Sequence, residues 1–357
     1  MRTYLVTGGA GFIGSNFIHY MLKKYKDIFI INLDKLTYAG NLTNLKSIEK
    51  DDRYTFVKGD IRDIVLVESL FDQYEIDYTV NFAAESHVDR SIQNPIEFVK
   101  TNIEGTFVLL EVAKKAWRQE KGWKEGKKFL QISTDEVYGS LGETGFFTEE
   151  SPIQPRNPYA ASKASADLLV QSYFNTYHMP VNITRCANNY GPYQFPEKLI
   201  PLMINNCLHG KGLPIYGDGK NIRDWIYVED HSRAIDHVIH RGRLGQVYNI
   251  GGKNEKTNIE MVKTIICTLK KMLPETEIQK WGIGEERIRY VSDRKGHDRR
   301  YAIDARKIWN ELNWKAQVSF QEGMIKTVQW YLDHQEWLED INTGEYKRYY
   351  EKKYIQG

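Results

Sequence analysis

Tyr159 and Lys163 stand four residues apart in Tyr159-Ala160-Ala161-Ser162-Lys163, just after Pro158. On a helix that spacing puts both side chains on one face. A free tyrosine, with a pKa of about 10, is a poor base at neutral pH. A nearby ammonium and a cationic cofactor ring both favour its phenolate. Such a tyrosine takes a proton from a hydroxyl while hydride leaves the same carbon. Upstream, Phe129-Leu130-Gln131-Ile132 runs into Ser133-Thr134-Asp135-Glu136-Val137-Tyr138-Gly139. Thr134 is positioned to hydrogen-bond the oxygen that Tyr159 deprotonates. Redox chemistry needs no further acid–base pair, yet Asp135 and Glu136 supply one. Adjacent carboxyl groups can divide the work, one holding a proton while the other is ionised. That suits an elimination, with Glu136 as base and Asp135 as acid to a departing hydroxyl. Taken singly, a Y-x-x-x-K spacing is commonly structural and two adjacent loop acids are commonly solvated. Their neighbours in the sequence give them weight.

The most telling neighbour is Val6-Thr7-Gly8-Gly9-Ala10-Gly11-Phe12-Ile13-Gly14. It follows a strand-like run and opens a helical one. Gly8, Gly11 and Gly14 permit a tight turn, close backbone approach to a pyrophosphate and close helix–strand packing. The helix N-terminus then offers unpaired N–H groups and a positive dipole end. Asp34 lies twenty residues beyond Gly14, at the end of the second strand-like run. A carboxylate there bonds a ribose hydroxyl and repels a 2′-phosphate, so NAD is expected rather than NADP. In Gly59-Asp60-Ile61-Arg62-Asp63 an acid reaches the adenine edge, or else Asp60 or Asp63 simply caps a helix.

These groups need a scaffold that brings strand ends together. Apolar runs at Tyr4–Val6, Ile28–Leu33, Tyr54–Val57, Tyr78–Asn81, Phe129–Ile132 and Val181–Thr184 alternate with helical stretches, among them Phe12–Tyr25, Ile96–Trp117 and Ala160–Tyr177. Alternation of this kind predicts a doubly wound parallel Rossmann sheet of about six or seven strands, of α/β class. Ligands in such sheets sit outside the carboxyl ends of the strands. After Cys186 the pattern changes, with Pro192, Pro196, Pro201 and Pro214 punctuating shorter segments. Asp224–Val228 and Gln246–Ile250 read as strands returning to the sheet. Asn258–Leu269, Ala305–Leu312 and Phe320–Leu338 have helical spacing. The expected division is a dinucleotide-binding domain over 1–186, rejoined by 224–250, and a smaller interleaved substrate domain over 187–223 and 251–357. The tail from Glu339 to Gly357 reads as a solvated helix.

Composition bounds the answer. The chain has 357 residues, enough for one large or two fused domains. Forty-nine basic against 47 acidic side chains leave a charge of +2, which argues against a strongly electrostatic nucleic-acid or membrane partner. No apolar run approaches the roughly 20 residues of a membrane span. The strand-like Arg2–Val6 start leaves no room for a secretory leader. Cys186, Cys207 and Cys267 are odd in number and far apart, so neither a disulfide framework nor a thiolate zinc site is expected. His237 and His240, lacking a third ligand, read as structural, and no metal is expected. The expectation is a cytoplasmic enzyme.

The chain resembles the extended short-chain dehydrogenase/reductase family and, within it, the dTDP-glucose 4,6-dehydratases. The matching stretches are Thr7–Ser15, Asp34–Asn41, Asn81–Ile92, Ser133–Gly139, Tyr159–Ala164, Arg185–Pro201, Gly217–Asp230 and Asp293–Tyr301. Glycine turn and Y-x-x-x-K mark only the superfamily, whereas Asp135-Glu136 after Thr134 separates dehydratases from the related epimerases and decarboxylases. The resemblance implies oxidation of the sugar at C4, loss of water across C5 and C6, and return of the hydride to C6. It implies NAD contacts at Phe12, Ile13, Asp34, Lys35, Asp60 and Ile61, and further ones at Ala83, Ala84, Thr101, Tyr159, Lys163 and Asn189. For the sugar nucleotide it implies Ser86, Thr134, Asn188, Lys198 and Leu199, then Arg223, Asn258, Arg294 and His297. Arg223 and Arg294 offer forked donors to a diphosphate. Tyr216, following Pro214 and Ile215, either stacks on the base or packs in the core. The resemblance also implies a homodimer formed by two helices, one carrying Leu109, Leu110 and Trp117, the other Leu168, Leu169 and Tyr173. UDP- or CDP-glucose remains an alternative substrate, and a non-catalytic dinucleotide sensor an alternative of another class.

Overall fold

The computed structural model of the chain describes residues 1–341. Six strands come first in the chain: β1 (Arg2–Thr7), β2 (Ile28–Asp34), β3 (Tyr54–Lys58), β4 (Tyr78–Asn81), β5 (Lys128–Thr134) and β6 (Val181–Cys186). They are followed by β7 (Asn188–Tyr190), β8 (Leu213–Tyr216), β9 (Ile222–Tyr227), β10 (Val247–Ile250), β11 (Glu255–Thr257) and β12 (Ile288–Val291). Seven of them form one sheet in the order β3-β2-β1-β4-β5-β6-β10. Every pairing in it is parallel. Its inner strands are buried on both faces because helices cover each side, and successive residues point to opposite cores. Tyr4 and Val6 of β1 enter one core with the Phe12–Lys24 and Val228–Arg241 helices. Leu5 enters the other, with the Ile64–Gln73, Gly105–Trp117 and Pro158–Tyr177 helices. The strand order reverses between β1 and β4, and that reversal opens the crevice in which such sheets bind ligands.

Of the two strands expected to return to this sheet, only one does. β10 takes the free edge of β6, with Val247 opposite Ile183 and Ile250 opposite Cys186. That edge being occupied, β9 pairs with β7 and β11 in a separate three-stranded sheet. This sheet packs on a third core with the Leu199–Leu208, Asn258–Met272 and Phe320–Asp333 helices. The helix predicted over 320–338 is broken at His334, whose backbone leaves the helical region (φ −125°, ψ 45°), and resumes as Gln335–Ile341. The solvated helix expected over 339–357 lies, from residue 342 on, outside the described residues.

Two local features position the site. The stretch predicted as one helix from Ile96 begins at Pro95 and widens into a π-helical turn over Val99–Glu104. π-turns re-aim side chains and often lie at functional sites. Here the turn lets Asn102 accept the Glu85 N–H at 2.8 Å and donate to the Ser162 hydroxyl at 2.8 Å, tying three segments together. Secondly, the helix expected from Ala160 starts at Pro158, a residue suited to a first helical position. Asn157 caps it by accepting the Ala160 N–H at 2.8 Å. Tyr159 is thereby fixed in the first turn.

Candidate active site

Thr134 ends β5 and caps the 3₁₀ turn Asp135–Tyr138, its hydroxyl accepting the Glu136 N–H at 3.2 Å. The turn stops at Gly139 (φ +86°), where a Cβ would meet the Gln154 carbonyl oxygen at 2.5 Å. This tight turn sends two adjacent acids into different surroundings. Asp135 is 2% exposed; its Oδ1 accepts the Thr134 hydroxyl at 3.3 Å and its Oδ2 has no hydrogen-bond partner in the protein. Burial, with Glu136 and Asp224 adding to it, raises the Asp135 carboxyl well above its usual range. Glu136 is half-buried, and its Oε2 accepts from the Asn157 amide at 3.4 Å.

Tyr159 and Lys163 are both buried in the same wall. The Lys163 ammonium donates to the Ile132 carbonyl at 2.7 Å, and burial lowers its pKa. Burial drives the Tyr159 phenol well up, Glu136 adds to the rise, and a hydrogen bond with Thr134 opposes it.

A cavity of about 310 Å³ runs along the carboxyl ends of β1, β2, β4 and β5. Gly8, Gly11, Gly14, Phe12 and Ile13 line it, as do Asp34, Lys35, Asp60 and Ile61. Ala83, Ala84, Thr101, Asn189 and Ser86 complete the wall beside Tyr159, Lys163, Thr134 and Asp135. The donor set fits a dinucleotide. At Gly8 (φ +69°) a Cβ would lie 2.6 Å from the Ala83 nitrogen, and at Gly14 2.4 Å from the Gly8 oxygen, so backbone alone can form this cradle. Asp34 is held by the Ala10 and Leu36 N–H groups at 2.9 and 2.8 Å, against the rise that burial imposes on its pKa. Asp63, not Asp60, caps the next helix, accepting the Leu66 N–H at 3.1 Å. Asp60 stays in the wall, paired with Lys35 at 2.9 Å and Arg62 at 2.8 Å.

A second cavity of about 170 Å³ lies between the sheet and the smaller lobe. Asn188, Lys198, Leu199, Pro214 and Tyr216 line it, with Arg223, Asn258, Arg294 and His297. Glu136, Asn188, Asn189, Gln194, Glu197 and Lys198 belong to both walls, so the cavities meet there. Tyr216 stands at the cavity and not in the core, its ring beneath the Arg294 guanidinium at 5.1 Å. Neither arginine is a free fork. Arg294 pairs with Asp89 at 2.6 Å, and Arg223 donates to the Ile222 and Asp298 carbonyls at 2.7 and 3.0 Å. His297 is held by Asp293 at 2.6 Å.

Glu197 and Tyr301 in the walls, and His231 behind them, carried no signal of their own in the sequence. Glu197 is buried, accepts from the Tyr38 hydroxyl at 3.1 Å and faces His87 at 3.7 Å. Lys198 beside it donates to the Ser86 carbonyl at 3.1 Å. Tyr301 stacks on Arg223 at 4.2 Å. His231 is fully buried and holds the Asn189 amide at 2.9 Å. Away from the site, His240 bridges Asp236 and the Tyr4 hydroxyl, both at 2.7 Å, while His237 sits on the Leu312 carbonyl. Among the residues expected at a subunit interface, Leu109, Leu110, Trp117 and Tyr173 pack inside the chain. Leu168 is 57% exposed. No helix of the described residues is long and apolar enough to cross a membrane.

The family model described as GDP-mannose 4,6 dehydratase matches residues 5–327. A dTDP-glucose 4,6-dehydratase of Neisseria meningitidis is 51% identical over 351 residues, 97% of this chain and 98% of its own. The solved structure of a dTDP-glucose 4,6-dehydratase from Bacillus anthracis, in complex with NAD, has 51% identity and a TM-score of 0.85, covering 96% of this chain and 100% of that one. A UDP-glucose 4-epimerase from Thermotoga maritima, with a TM-score of 0.80, falls to 28% identity over 94% of this chain and 100% of its own.

Proposed function

The chain belongs to the GDP-mannose 4,6-dehydratase family of extended short-chain dehydrogenase/reductases, and from that footing we propose that it converts dTDP-glucose to dTDP-4-keto-6-deoxy-glucose. One observation carries this reading: the cavity lined by the glycine cradle and the cavity lined by Arg223 and Arg294 meet at Glu136, beside the buried Asp135. A dehydrogenase would need only Tyr159 at that junction. A dehydratase needs the two carboxyl groups as well.

The glycine cradle, Asp34 and the Ala83–Ala84 backbone would hold NAD, which supplies a hydride acceptor for the sugar C4 and a donor for C6. Tyr159 takes the proton of the C4 hydroxyl, with Thr134 holding the same oxygen. Lys163, anchored on the Ile132 carbonyl, holds positive charge behind the tyrosine. The 4-ketone acidifies the C5 hydrogen, which Glu136 removes, and C5 is reprotonated when the hydride returns to C6. Asp135, kept neutral by burial, protonates the C6 hydroxyl as it leaves as water. Each acid–base step contributes about 10²–10⁴-fold.

The reading extends to a cytoplasmic homodimer that feeds deoxysugar synthesis, rhamnose among its products. All three cysteines are free, which suits a reducing compartment. Phe107 and Leu168 are 46% and 57% exposed, on the two helices expected to pair. Incubation with dTDP-, UDP- and CDP-glucose, followed by the alkaline absorbance of the 4-keto product, tests the substrate. Preference for either rival nucleotide would overturn the dTDP assignment. Deuterium placed on C4 should reach the product methyl group, and its loss to solvent would overturn the hydride return.

A further inference from the structure

We propose that His231, which lines neither cavity, is a positioning residue for the nicotinamide: it fixes the Asn189 amide so that the cavity presents a hydrogen-bond acceptor there and selects a carboxamide. The proposal rests on the reading of that cavity as the dinucleotide site.

His231 lies on the Val228–Arg241 helix and is fully buried. Its Nδ1 is 2.9 Å from the Asn189 Oδ1, and its Nε2 has no partner among the described residues. Asn189, on β7, is 8% exposed and belongs to the walls of both cavities. Its Nδ2 donates to the Ala187 carbonyl at 3.0 Å and to the Cys186 sulfur at 3.4 Å. A carbonyl only accepts, so the amide nitrogen faces Ala187 and the amide oxygen faces His231. His231 therefore carries its proton on Nδ1 and donates it. Burial keeps the imidazole neutral, pulling its pKa down to about 3, which leaves Nε2 a bare lone pair. The Cys186 thiol in turn donates to the Ser133 carbonyl at 3.4 Å. One directed chain runs from His231 through Asn189 and Cys186 to the residue before Thr134.

That chain accounts for nearly all the hydrogen-bonding capacity of the Asn189 side chain. Both amide hydrogens have protein acceptors, and one lone pair of Oδ1 is taken. What remains for a ligand is the second lone pair, an acceptor. Its place in the cavity decides which part of the ligand meets it. Cys186 stands opposite Thr134 in the β5–β6 register, and both line the wall that holds Tyr159 and Lys163. Asn189 thus belongs to the redox end, where hydride transfer requires the nicotinamide ring, and not to the pyrophosphate end at Gly8–Gly14. On that ring the carboxamide alone carries N–H donors. Without His231 the amide keeps one good bond, to Ala187, and a weak one to sulfur. Its oxygen then has no partner to stop the side chain from turning its N–H groups towards the ligand's own.

The test equilibrates the full-length chain with an excess of an equal mixture of NAD and 3-acetylpyridine adenine dinucleotide, in which a methyl group replaces the carboxamide nitrogen. Chromatography of the nucleotide released on denaturation reads the ratio retained. The wild type should favour NAD by about tenfold, the loss expected when a methyl replaces a donor to a buried acceptor. His231→Leu should bring the preference below about threefold. His231→Asn, whose Nδ2 takes the place of Nδ1, should restore it. Asn189→Leu, which removes the acceptor and leaves His231 in place, should lose the preference as His231→Leu does. Weaker retention of both dinucleotides by His231→Leu with the ratio intact marks a merely structural role and overturns the proposal. So does a preference kept by Asn189→Leu, or a wild type that does not discriminate. Retention of neither dinucleotide by the wild type would overturn the cofactor site itself and the proposal with it.

Discussion

Replacing Asp135 by asparagine exchanges one neutral, nearly isosteric group for another in the folded protein, and so separates stability from activity. The native carboxyl is fully buried with Oδ2 unpartnered, and burial holds it in the acid form well above the usual carboxylate range. In the unfolded chain an aspartate ionises near about 3.9. Because the folded value is raised, the native state keeps its proton over a window in which the unfolded state has lost it. Wild-type stability therefore falls by about 1.4 kcal/mol per pH unit across that window from this group alone. It starts at the unfolded value and ends at the raised folded one. Asparagine has no such linkage. Relative to wild type, the variant should gain stability as pH rises from about 4, by about 1.4 kcal/mol per unit until the folded carboxyl itself ionises. Over the same range its elimination step should fall by about 10²–10⁴-fold, or about 3–5 kcal/mol in the barrier. C4 oxidation should persist, so reduced cofactor and 4-keto-glucose accumulate. Paired denaturation curves at several pH values and single-turnover absorbance read both effects. A variant that loses stability with pH, or slows oxidation and elimination equally, would refute the assignment of a buried neutral acid.

Three further outcomes test the rest of the site. Tyr159→Phe should lower turnover by about 10²–10⁴-fold while sugar-nucleotide affinity, measured by calorimetry, stays within about twofold. Gly8→Ala forces a Cβ to 2.6 Å from the Ala83 nitrogen at φ +69°, so the variant should bind NAD more weakly than the wild type, read by calorimetric titration with NAD. Lys128, buried at the start of β5 and bonded to the Gly242 carbonyl at 3.0 Å, has its ammonium pulled down by burial to about 8. Between that value and the unfolded one near about 10.4 the unfolded state holds more protons, so wild-type stability relative to Lys128→Met should rise as pH climbs through that range. Urea midpoints read it, and a flat difference would refute the burial argument.

The parts of the fold that the sequence reveals are those encoded by local periodicity. Tyr4 and Val6 against Leu5 alternate between cores as a strand must, and the glycines of 8–14 stand where a Cβ would collide. What the sequence hides depends on competition between distant segments. Nothing in Asp224–Val228 announces that the edge of β6 will already be taken by β10. The π-turn at Val99–Glu104 inserts into an otherwise regular helical pattern, and only the Asn102 contacts with Glu85 and Ser162 give it a purpose. Glu197 escaped notice because its neighbours Tyr38 and His87 lie far away in the chain. Arg223 and Arg294 were legible as charges but not as engaged ones, since Asp89 and the Asp298 carbonyl reach them from other loops.

The unlike surroundings of Asp135 and Glu136 follow from backbone geometry and not from residue type. In an extended strand successive side chains point to opposite faces, and in a regular helix they sit about 100° apart, so chain neighbours rarely share a site with unlike environments by chance. Here the strand stops at Thr134, whose hydroxyl caps a single 3₁₀ turn. That turn drives Asp135 inward, where it is 2% exposed, and leaves Glu136 at the junction of both cavities with Asn157 on its Oε2. Asn157 also caps the helix that carries Tyr159. One asparagine and one threonine thus join Tyr159 to the two adjacent acids. Any movement of the Pro158–Tyr177 helix start must shift the base and the tyrosine together. In the proposed mechanism, oxidation at C4 and proton removal at C5 act on adjacent carbons, so holding Tyr159 and Glu136 in fixed relation would serve both steps with one substrate pose.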